Sequence, residues 1–309
     1  MVYVARQLGQ AALTVLGIVT VVFFLIRLIP GDPATYMLGD YATDEAIATL
    51  RGQLGLDQPV VVQFLRFVGR LAQGDLGMSV VTGQPAINEV LASIGPSITL
   101  AGLAMLVAIT VGVTCGVLAA YKSGTWIDTA VTVLALCGIS APVFWIGLVA
   151  ILVLSHELGL FPALGTTSAP GLLARLHHVA LPALVLGLAV SAYIARLTRS
   201  AMLEILGADY IRVARAMGIA EHRIIGRLAL RNALVPILSI VGVSFATSLG
   251  SAILVEIVFS RPGLGSLMLK AVQARDYQLV QAGILFLAMS VVAVNLAVDL
   301  AYKLVDPRI

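Results

Sequence analysis

Six long stretches of the chain contain no aspartate, glutamate, lysine or arginine. A helix needs about 20 residues to cross about 30 Å of hydrocarbon, and most of these stretches reach that length. They cover residues 7–26, 97–120, 129–155, 179–195, 232–255 and 277–298, and the fourth is the shortest. The pattern therefore predicts an all-α membrane protein with six transmembrane helices.

Two of the polar connections between these spans are long. Residues 30–94 form a predicted external insertion, in which "TDEAIATLRGQLG" has the capped start of a helix. A second helix is indicated after Pro59 by apolar residues at helical spacing, and we expect this stripe to close a local core. The stripe consists of Val61, Phe64, Val68 and Leu71. Residues 196–231 form the other long connection and carry seven arginines against three acidic residues.

The overall composition supports a location in a bilayer. Hydrophobic residues make up 60% of the 309 positions, charged residues make up 11%, and the mean hydropathy is +1.02. A soluble protein has about 25% charged residues, so this chain has too little polar surface to cover a water-soluble globule. We predict a single transmembrane domain over residues 1–309. The net charge of only +3 does not indicate a nucleic-acid-binding protein.

The distribution of charge predicts the orientation of the chain, because cytoplasmic loops carry an excess of lysine and arginine. With the N-terminus inside, the inner segments hold 11 basic and 6 acidic residues, a net charge of +5. The outer segments hold 8 basic and 10 acidic residues, a net charge of −2. Both termini are therefore predicted in the cytoplasm. Lys122, Arg215 and Arg308 are expected inside, and Asp57 and Arg175 outside.

Motifs for catalysis and for nucleotide binding do not occur in the sequence. A phosphate-binding P-loop needs a lysine directly after a glycine, and none of Lys122, Lys270 and Lys303 follows one. There is no GxSxG nucleophile turn, and "HELGL" lacks the second histidine of a zinc-binding helix. We therefore expect no cofactor and no metal site, and we interpret His177 and His178 as polar anchors near the outer membrane face.

The spans themselves indicate packing and bending rather than ion coupling. Glu256 and Asp299 lie at span ends, and no span has an ionisable residue at its centre, where ion-coupled transporters usually place one. The energy source is therefore predicted outside this chain. Small residues four apart predict close helix packing at Gly112 and Gly116, and at Gly242, Ala246 and Gly250. Helix bends are predicted at Pro142, Pro182 and Pro236.

The stretch "DYIRVARAMGI" within residues 196–231 is typical of a short basic amphipathic helix. Asp209 is predicted as its N-cap, and Gly218 is predicted as its left-handed stop. The predicted apolar stripe consists of Tyr210, Ala214 and Met217. A neighbouring basic face consists of Arg212 and Arg215. A short helix with an apolar stripe and no core of its own indicates a partner protein, and a basic loop lying on anionic lipid is the alternative.

Several motifs along the chain together resemble the inner-membrane permease subunits of ABC importers for dipeptides and oligopeptides, of the DppB and OppB type. These motifs are "RLIPGDP", "LGLDQP", "GDLGMS", "DYIRVARAMGI" followed by "LALRNALVP", "VEIVFSRPGLG", "RDYQLVQ" and "NLAVDLAYKLVDPRI". The cytoplasmic loop of that family has the pattern Glu-Ala-Ala, three residues, Gly, nine residues, Ile-x-Leu-Pro. Ala214, Gly218 and Leu230 fit this pattern. Four positions depart from it, namely Arg212, Val213, Leu228 and Arg231.

The resemblance implies the type I ABC importer permease fold, with a large external insertion after the first helix and a cytoplasmic coupling helix. It places the coupling contacts with the ATPase at seven residues of this stretch, namely Asp209, Tyr210, Arg212, Ala214, Arg215, Met217 and Gly218. The implied partners are a homologous second permease subunit, two cytoplasmic ATPase domains, an extracytoplasmic solute-binding protein and the lipid bilayer. ATP hydrolysis is expected on the ATPase partners, so the chain itself is not expected to be an enzyme. The implied location is the bacterial cytoplasmic (inner) membrane.

The resemblance further implies that the chain forms half of the translocation pathway for peptides that a binding protein delivers. Nickel and glutathione importers of the same branch have similar permease subunits, so these substrates remain alternatives. A stand-alone ion-coupled secondary transporter is the alternative from a different class. In related importers an external loop probes the binding protein. The matching turn consists of Arg261, Pro262, Gly263, Leu264 and Gly265.

Overall fold

The computed structural model describes residues 2–28, 35, 43–166 and 168–305. Within this part the regular secondary structure is helical, apart from an isolated β-bridge between Met78 and Pro85, so the predicted all-α class is confirmed. The helices in chain order are α1 (Val2–Arg27), α2 (Asp44–Leu54), α3 (Val60–Ala72), α4 (Ala86–Tyr121), α5 (Trp126–Ser140), α6 (Val143–Glu157), α7 (Leu172–Leu206), α8 (Asp209–Ala216), α9 (Glu221–Val258), α10 (Leu264–Gln273) and α11 (Tyr277–Val305).

Five helices of the described part, α1, α4, α7, α9 and α11, are long and apolar enough to cross a membrane. A sixth candidate span is the pair of α5 and α6, which meet at an angle of 103°. Counted with this bent pair, each of the six uncharged stretches has a helical counterpart. The stretches therefore predicted the number of spans, although not the form of each one.

The third and fourth spans differ from the prediction. Residues 129–155 were expected as one span, but they form two helices because Pro142 lacks an amide hydrogen and forces an extended backbone at Ala141. Residues 179–195 were expected as the shortest span, yet they lie within α7, a helix of 35 residues. Helix α7 also contains charged residues, such as Arg175, outside the uncharged stretch. The uncharged stretch is therefore shorter than the helix.

The chain forms two compact units. The N-terminal unit consists of Met1–Gly95 and Leu264–Val292, and the central unit consists of Pro96–Gly263 and Ala293–Ile309. The interpretation of residues 1–309 as a single domain stays a prediction.

The N-terminal unit packs around Phe23, which is fully buried. Phe64 and Phe67 of α3 approach it with ring centroids 5.2 and 5.5 Å away. Val68 and Leu71 join the same cluster. The apolar stripe of α3 therefore closes a local core as expected, except that Val61 is 69% exposed and Phe67 takes part instead.

The described part of the external insertion contains the expected capped helix. The hydroxyl group of Thr43 accepts a hydrogen bond from the Ala46 amide at 3.3 Å, and Gly55 ends α2 with a φ angle of 65°. Helix α4 already begins at Ala86, within the range 30–94 that was assigned to the insertion. The difference arises because α4 continues through Pro96, and beyond it through Glu89, back to Ala86.

The central unit packs around α7, and two glycines of α4 allow the closest approach to it. An ideal Cβ atom on Gly112 would lie 2.8 Å from the Cβ atom of Ile194, and one on Gly116 would lie 2.6 Å from the carbonyl oxygen of Ala195. The predicted close packing is confirmed there. It is wrong at Gly250, where no atom of the described chain lies within 4 Å of such a Cβ atom.

Candidate functional site

The predicted coupling helix exists as α8, and it begins two residues after α7 ends. The N-cap is Ala208, with extended backbone, and Asp209 is the first helical residue. The prediction of Asp209 as a side-chain N-cap is therefore wrong by one position. The Asp209 carboxylate instead lies 3.3 Å from the Arg212 guanidinium on the exposed surface.

One face of α8 is buried within the chain. Ile211 is fully buried, Ala214 is 6% exposed, and both pack against the fully buried Ile224 at the start of α9. Leu206 and Leu228 complete this small cluster. The expectation that the helix has no core of its own is therefore wrong, because Ala214 faces inward rather than lying on an exposed stripe.

A neighbouring face of α8 exposes apolar side chains. Tyr210, Val213 and Met217 are 45%, 57% and 73% exposed. Their spacing of three and four residues puts them on one side of a helix. Val213 was missed, because the family pattern places an alanine at its position and Val213 was counted only as a departure. Tyr210 is held in place by Asn232, whose side-chain amide donates a hydrogen bond to the phenol oxygen at 2.9 Å.

The end of α8 has the predicted left-handed conformation. Gly218 has a φ angle of 75°, and the amide of Ile219 donates to the carbonyl oxygen of Ala214 at 3.1 Å. The helix ends at Ala216, and Met217 is its C-cap. A Cβ atom on Gly218 would meet no other atom of the described chain within 4 Å. The requirement for glycine is therefore one of backbone conformation alone.

The two arginines of the predicted basic face have different partners. Arg215 donates to the Glu221 carboxylate at 2.8 Å and so joins α8 to the first residue of α9. This hydrogen bond raises the pKa of the Arg215 guanidinium above its usual value. Arg212 is 71% exposed and contacts Asp209 within the same helix. Arg212 is therefore the more accessible cation on this helix.

The predicted external turn buries residues that were expected to contact a partner. In the central unit Arg261 is 3% exposed, and its Nη1 atom donates to the carbonyl oxygen of Gly165 at 3.0 Å. Burial lowers the pKa of Arg261. A Cβ atom on Gly263 would overlap the carboxylate of Glu256, which is buried and accepts a hydrogen bond from Ser97. The structure thus contradicts an exposed position for Arg261 and Gly263.

The other three residues of the turn differ in their exposure to solvent. In the N-terminal unit Leu264 and Gly265 are buried, and Leu264 packs with Ala86, Val90 and Ala271. Pro262 is the one exposed residue of the five. The expected short helix after the turn is confirmed as α10. A tight turn that ends against a packed helix buries its own small residues. This explains why these positions are buried.

The N-terminal unit contains a buried carboxylate that the sequence analysis missed. Asp276 is fully buried and accepts hydrogen bonds from the Ser79 hydroxyl at 2.6 Å, the Val80 amide at 2.9 Å and the Leu279 amide at 3.0 Å. The side chain of Gln278 accepts a further bond from the Met78 amide at 2.7 Å. An aspartate directly before a helix is a capping signal, and this signal could have identified Asp276.

The two neighbouring histidines anchor the segment that precedes α7. The Nε2 atom of His177 lies 3.0 Å from the carbonyl oxygen of Leu160, and the Nδ1 atom of His178 lies 2.8 Å from that of Leu164. Each ring nitrogen donates to a backbone oxygen. Among the described residues no group of three or more potential metal-ligating side chains occurs. Both rings therefore hold this segment through hydrogen bonds to its backbone.

Comparison with known proteins gives two matching family descriptions. Residues 112–309 match "Binding-protein-dependent transport system inner membrane component", and residues 1–87 match the N-terminal region of the membrane components of such systems. Together these matches leave out only residues 88–111, which lie within α4.

Curated relatives match over nearly the whole chain. The di/tripeptide transport system permease protein DppB of Pseudomonas aeruginosa is 41% identical, with 99% of this chain and 98% of the relative covered. A dipeptide transport system permease protein of Alkalihalophilus pseudofirmus is 39% identical with the same coverage. The glutathione transport system permease protein GsiC of Salmonella paratyphi A is 38% identical, again with the same coverage.

A solved structure shows the same fold. A chain of the MetNI methionine ABC transporter, in an inward-facing conformation, superposes with a TM-score of 0.57 at 17% identity. The superposition covers 71% of this chain and 96% of that chain, so the predicted type I importer permease fold is confirmed. The family matches and the curated relatives show that the chain belongs to the inner membrane components of binding-protein-dependent transport systems.

Proposed function

We propose that this chain is the transmembrane subunit of an ATP-driven peptide importer in a bacterial cytoplasmic membrane. It forms half of the translocation pathway, together with a homologous second permease subunit. Two cytoplasmic ATPase domains supply the energy, and an extracytoplasmic binding protein delivers the solute. Both termini lie in the cytoplasm.

The observation that carries this proposal is the two-sided packing of α8. Its inner face is fixed to the spans through Ile211, Ala214 and Ile224, while its outer face exposes Tyr210, Val213 and Met217. An exposed apolar stripe on a helix that is anchored to membrane spans suits a partner protein, which buries the stripe and moves the helix with it. A membrane interface also accommodates an apolar stripe beside arginines, so titration of the ATPase onto the permease distinguishes the two.

The energy source is proposed to lie on a partner because the sequence of this chain has no P-loop. A partner ATPase that changes shape during hydrolysis would push or pull α8 as a rigid helix. The left-handed end at Gly218 and the Arg215–Glu221 ion pair hold the orientation of α8 relative to α9. Both features support a role in the transfer of movement from the ATPase to the spans.

Peptides are the proposed solutes because relatives of about 40% identity carry peptide or dipeptide transport in their names. A glutathione permease at 38% identity supports glutathione, itself a small peptide, as the second candidate. Nickel import is the third, and it rests on the resemblance of the branch alone. We place the contact with the binding protein at the external turn around Pro262. The buried neighbours of Pro262 hold the turn in position.

The decisive experiment reconstitutes this chain with its second permease subunit, ATPase partners and binding protein in vesicles. Labelled dipeptide should enter only with ATP and loaded binding protein, and excess unlabelled dipeptide should compete better than glutathione or Ni²⁺. Import driven by a proton gradient without ATP would contradict the proposal. Strong competition by glutathione alone would select the second candidate.

The proposed orientation has a separate test with an impermeant thiol reagent, on chains that lack the two native cysteines. A cysteine that replaces Asp57 should be labelled from outside intact cells, and a cysteine that replaces Arg215 should be labelled only after lysis. Strong labelling of the latter from outside would reverse the orientation.

A further inference from the structure

An ion pair joins α5 to α7 within the central unit. The guanidinium group of Arg199 donates from Nε and from Nη2 to the two carboxylate oxygens of Asp128, at 2.5 and 2.8 Å. Asp128 is only 6% exposed, and it also accepts the Gly124 amide at 3.0 Å. This bidentate geometry fixes direction as well as distance, because both planar groups must align.

The position of the pair along α7 relates it to the coupling helix. Arg199 lies seven residues before the end of α7, and α8 begins after two more residues. Next to Arg199, Thr198 is fully buried against Gly116 of α4. The last part of α7 is therefore held from two sides, by close backbone packing and by the ion pair.

Continuous packing leads from this held segment to α8. Met202 of α7 is fully buried in one cluster with Ala229 and Ala233 of α9. Leu206, at the end of α7, packs in that cluster and also in the cluster that contains Ile211 of α8. A shift or rotation of the end of α7 therefore displaces the inner face of α8 directly.

We propose that Asp128 and Arg199 form a positioning pair that holds α8 in the orientation needed to couple ATP hydrolysis to import. The inference rests on the proposed function, since it assigns the pair a role in coupling. Only the Asp128 end of this pair is buried, since the Arg199 side chain is 31% exposed. Ion pairs of this kind contribute little net stability, but their geometry specifies alignment. A pair that aligns two spans at the level of the coupling segment suits this second role.

The test uses the complete complex in vesicles, with ATP hydrolysis and labelled dipeptide import measured on the same preparation. We expect dipeptide imported per ATP hydrolysed to fall about five- to tenfold in Arg199→Asp and in Asp128→Arg, and about two- to threefold in Arg199→Lys. The double variant with both charges exchanged should recover part of the ratio. The matched control is Arg196→Lys, one turn earlier on α7. Arg196 is exposed and has no polar partner among the described residues, so its ratio should not change.

Three results would overturn the inference. The first is a wild-type ratio in the assembled single variants. The second is a double variant with exchanged charges that imports no more dipeptide per ATP than either single variant. The third is loss of the complex from the membrane in every variant, Arg199→Lys included, because the pair would then serve folding alone. An inactive wild-type complex would instead overturn the proposed function itself, and so the two failures are distinguishable.

Discussion

The coupling helix and the part of the external turn up to Gly263 both belong to the central unit, and they differ in which side chains they expose. Helix α8 leaves its arginines and the stripe of Tyr210, Val213 and Met217 exposed. The turn before Gly263 buries the charged groups of Glu256 and Arg261. An exposed apolar stripe is useful only with a partner, whereas buried charges are tolerated only when the fold satisfies them. Substitutions in α8 should therefore impair coupling, and substitutions in the turn should impair folding.

The largest effect is expected for Gly263→Ala. The added methyl group would overlap the buried carboxylate of Glu256, which cannot move without losing its bond from Ser97. We expect a loss of about 3 kcal/mol in the free energy of unfolding, measured by thermal unfolding in detergent. Gly250→Ala is the matched control, because its methyl group enters open space and should be neutral or slightly stabilising. Equal stability of the two variants would show that the turn is loosely packed.

A slightly smaller effect is expected for Asp276→Ala in the N-terminal unit. The substitution leaves the Ser79 hydroxyl and the amides of Val80 and Leu279 without their buried acceptor. Unfolding should become easier by about 2 kcal/mol, and limited proteolysis should become faster at residues 77–86. Asp57 is exposed, so Asp57→Ala is the control. It should change neither the free energy of unfolding nor the rate of proteolysis. Unchanged proteolysis would mean that Asp276 does not hold this segment.

Gly218→Val tests the coupling helix itself. A β-branched residue in the left-handed conformation costs about 1–2 kcal/mol of backbone strain. This strain should lower the population of α8 that is docked on the ATPase about five- to thirtyfold. The protein should remain in the membrane, while import and the stimulation of ATP hydrolysis by loaded binding protein fall. Gly218→Asn is the control, because asparagine adopts this conformation more readily. Normal import and normal stimulation in the valine variant would remove the helix from the mechanism.

The contrast between the two regions also separates what the sequence predicts from what it does not. Length and absence of charge predicted the six spans, and the residues around Gly218 predicted the left-handed end, because both are local properties. The two-helix form of residues 129–155 depends on the backbone around Pro142. Pro182 and Pro236 carry the same local signal, yet α7 and α9 continue through them. A proline alone therefore does not decide whether a span breaks.

The two faces of α8 show most clearly what the sequence cannot predict. Tyr210, Val213, Ala214 and Met217 are all apolar or small, and helical spacing alone cannot decide which of them the neighbouring helix covers. The choice depends on Ile224, which lies after the following turn. Burial of Arg261 and Glu256 has the same origin, since their partners Gly165 and Ser97 lie 96 and 159 residues away. Long-range pairing of this kind is not visible in a local pattern.

Val213→Ser should separate docking from folding. The side chain is exposed in this chain, so the free energy of unfolding should change by less than about 0.5 kcal/mol. If the ATPase buries Val213, its association should weaken by about 1 kcal/mol, or about fivefold, in a titration of the ATPase onto the permease. Ile211→Ser is the contrasting variant and should destabilise the loop, because Ile211 is fully buried. Wild-type affinity in Val213→Ser would move the docking surface away from this face.

The smallest effect is expected for Asp209→Ala, and its size distinguishes two arrangements at the start of α8. A side-chain N-cap typically contributes about 1 kcal/mol. In the structure Ala208 holds the N-cap position, and Asp209 contacts only the exposed Arg212 at 3.3 Å within the same helix. Exposed pairs of this kind contribute about 0.5 kcal/mol or less, and an acidic residue in the first turn adds a similar amount at low salt. Hydrogen exchange at the Ile211 and Arg212 amides, which a cap at Asp209 would bind, should therefore be nearly unchanged in 0.3 M salt, whereas loss of a true cap would lower protection about fivefold at any salt concentration. Ala208→Ser or Ala208→Asn, which can supply the missing side-chain cap, should slow exchange at the Tyr210 and Ile211 amides by about the factor that a cap provides.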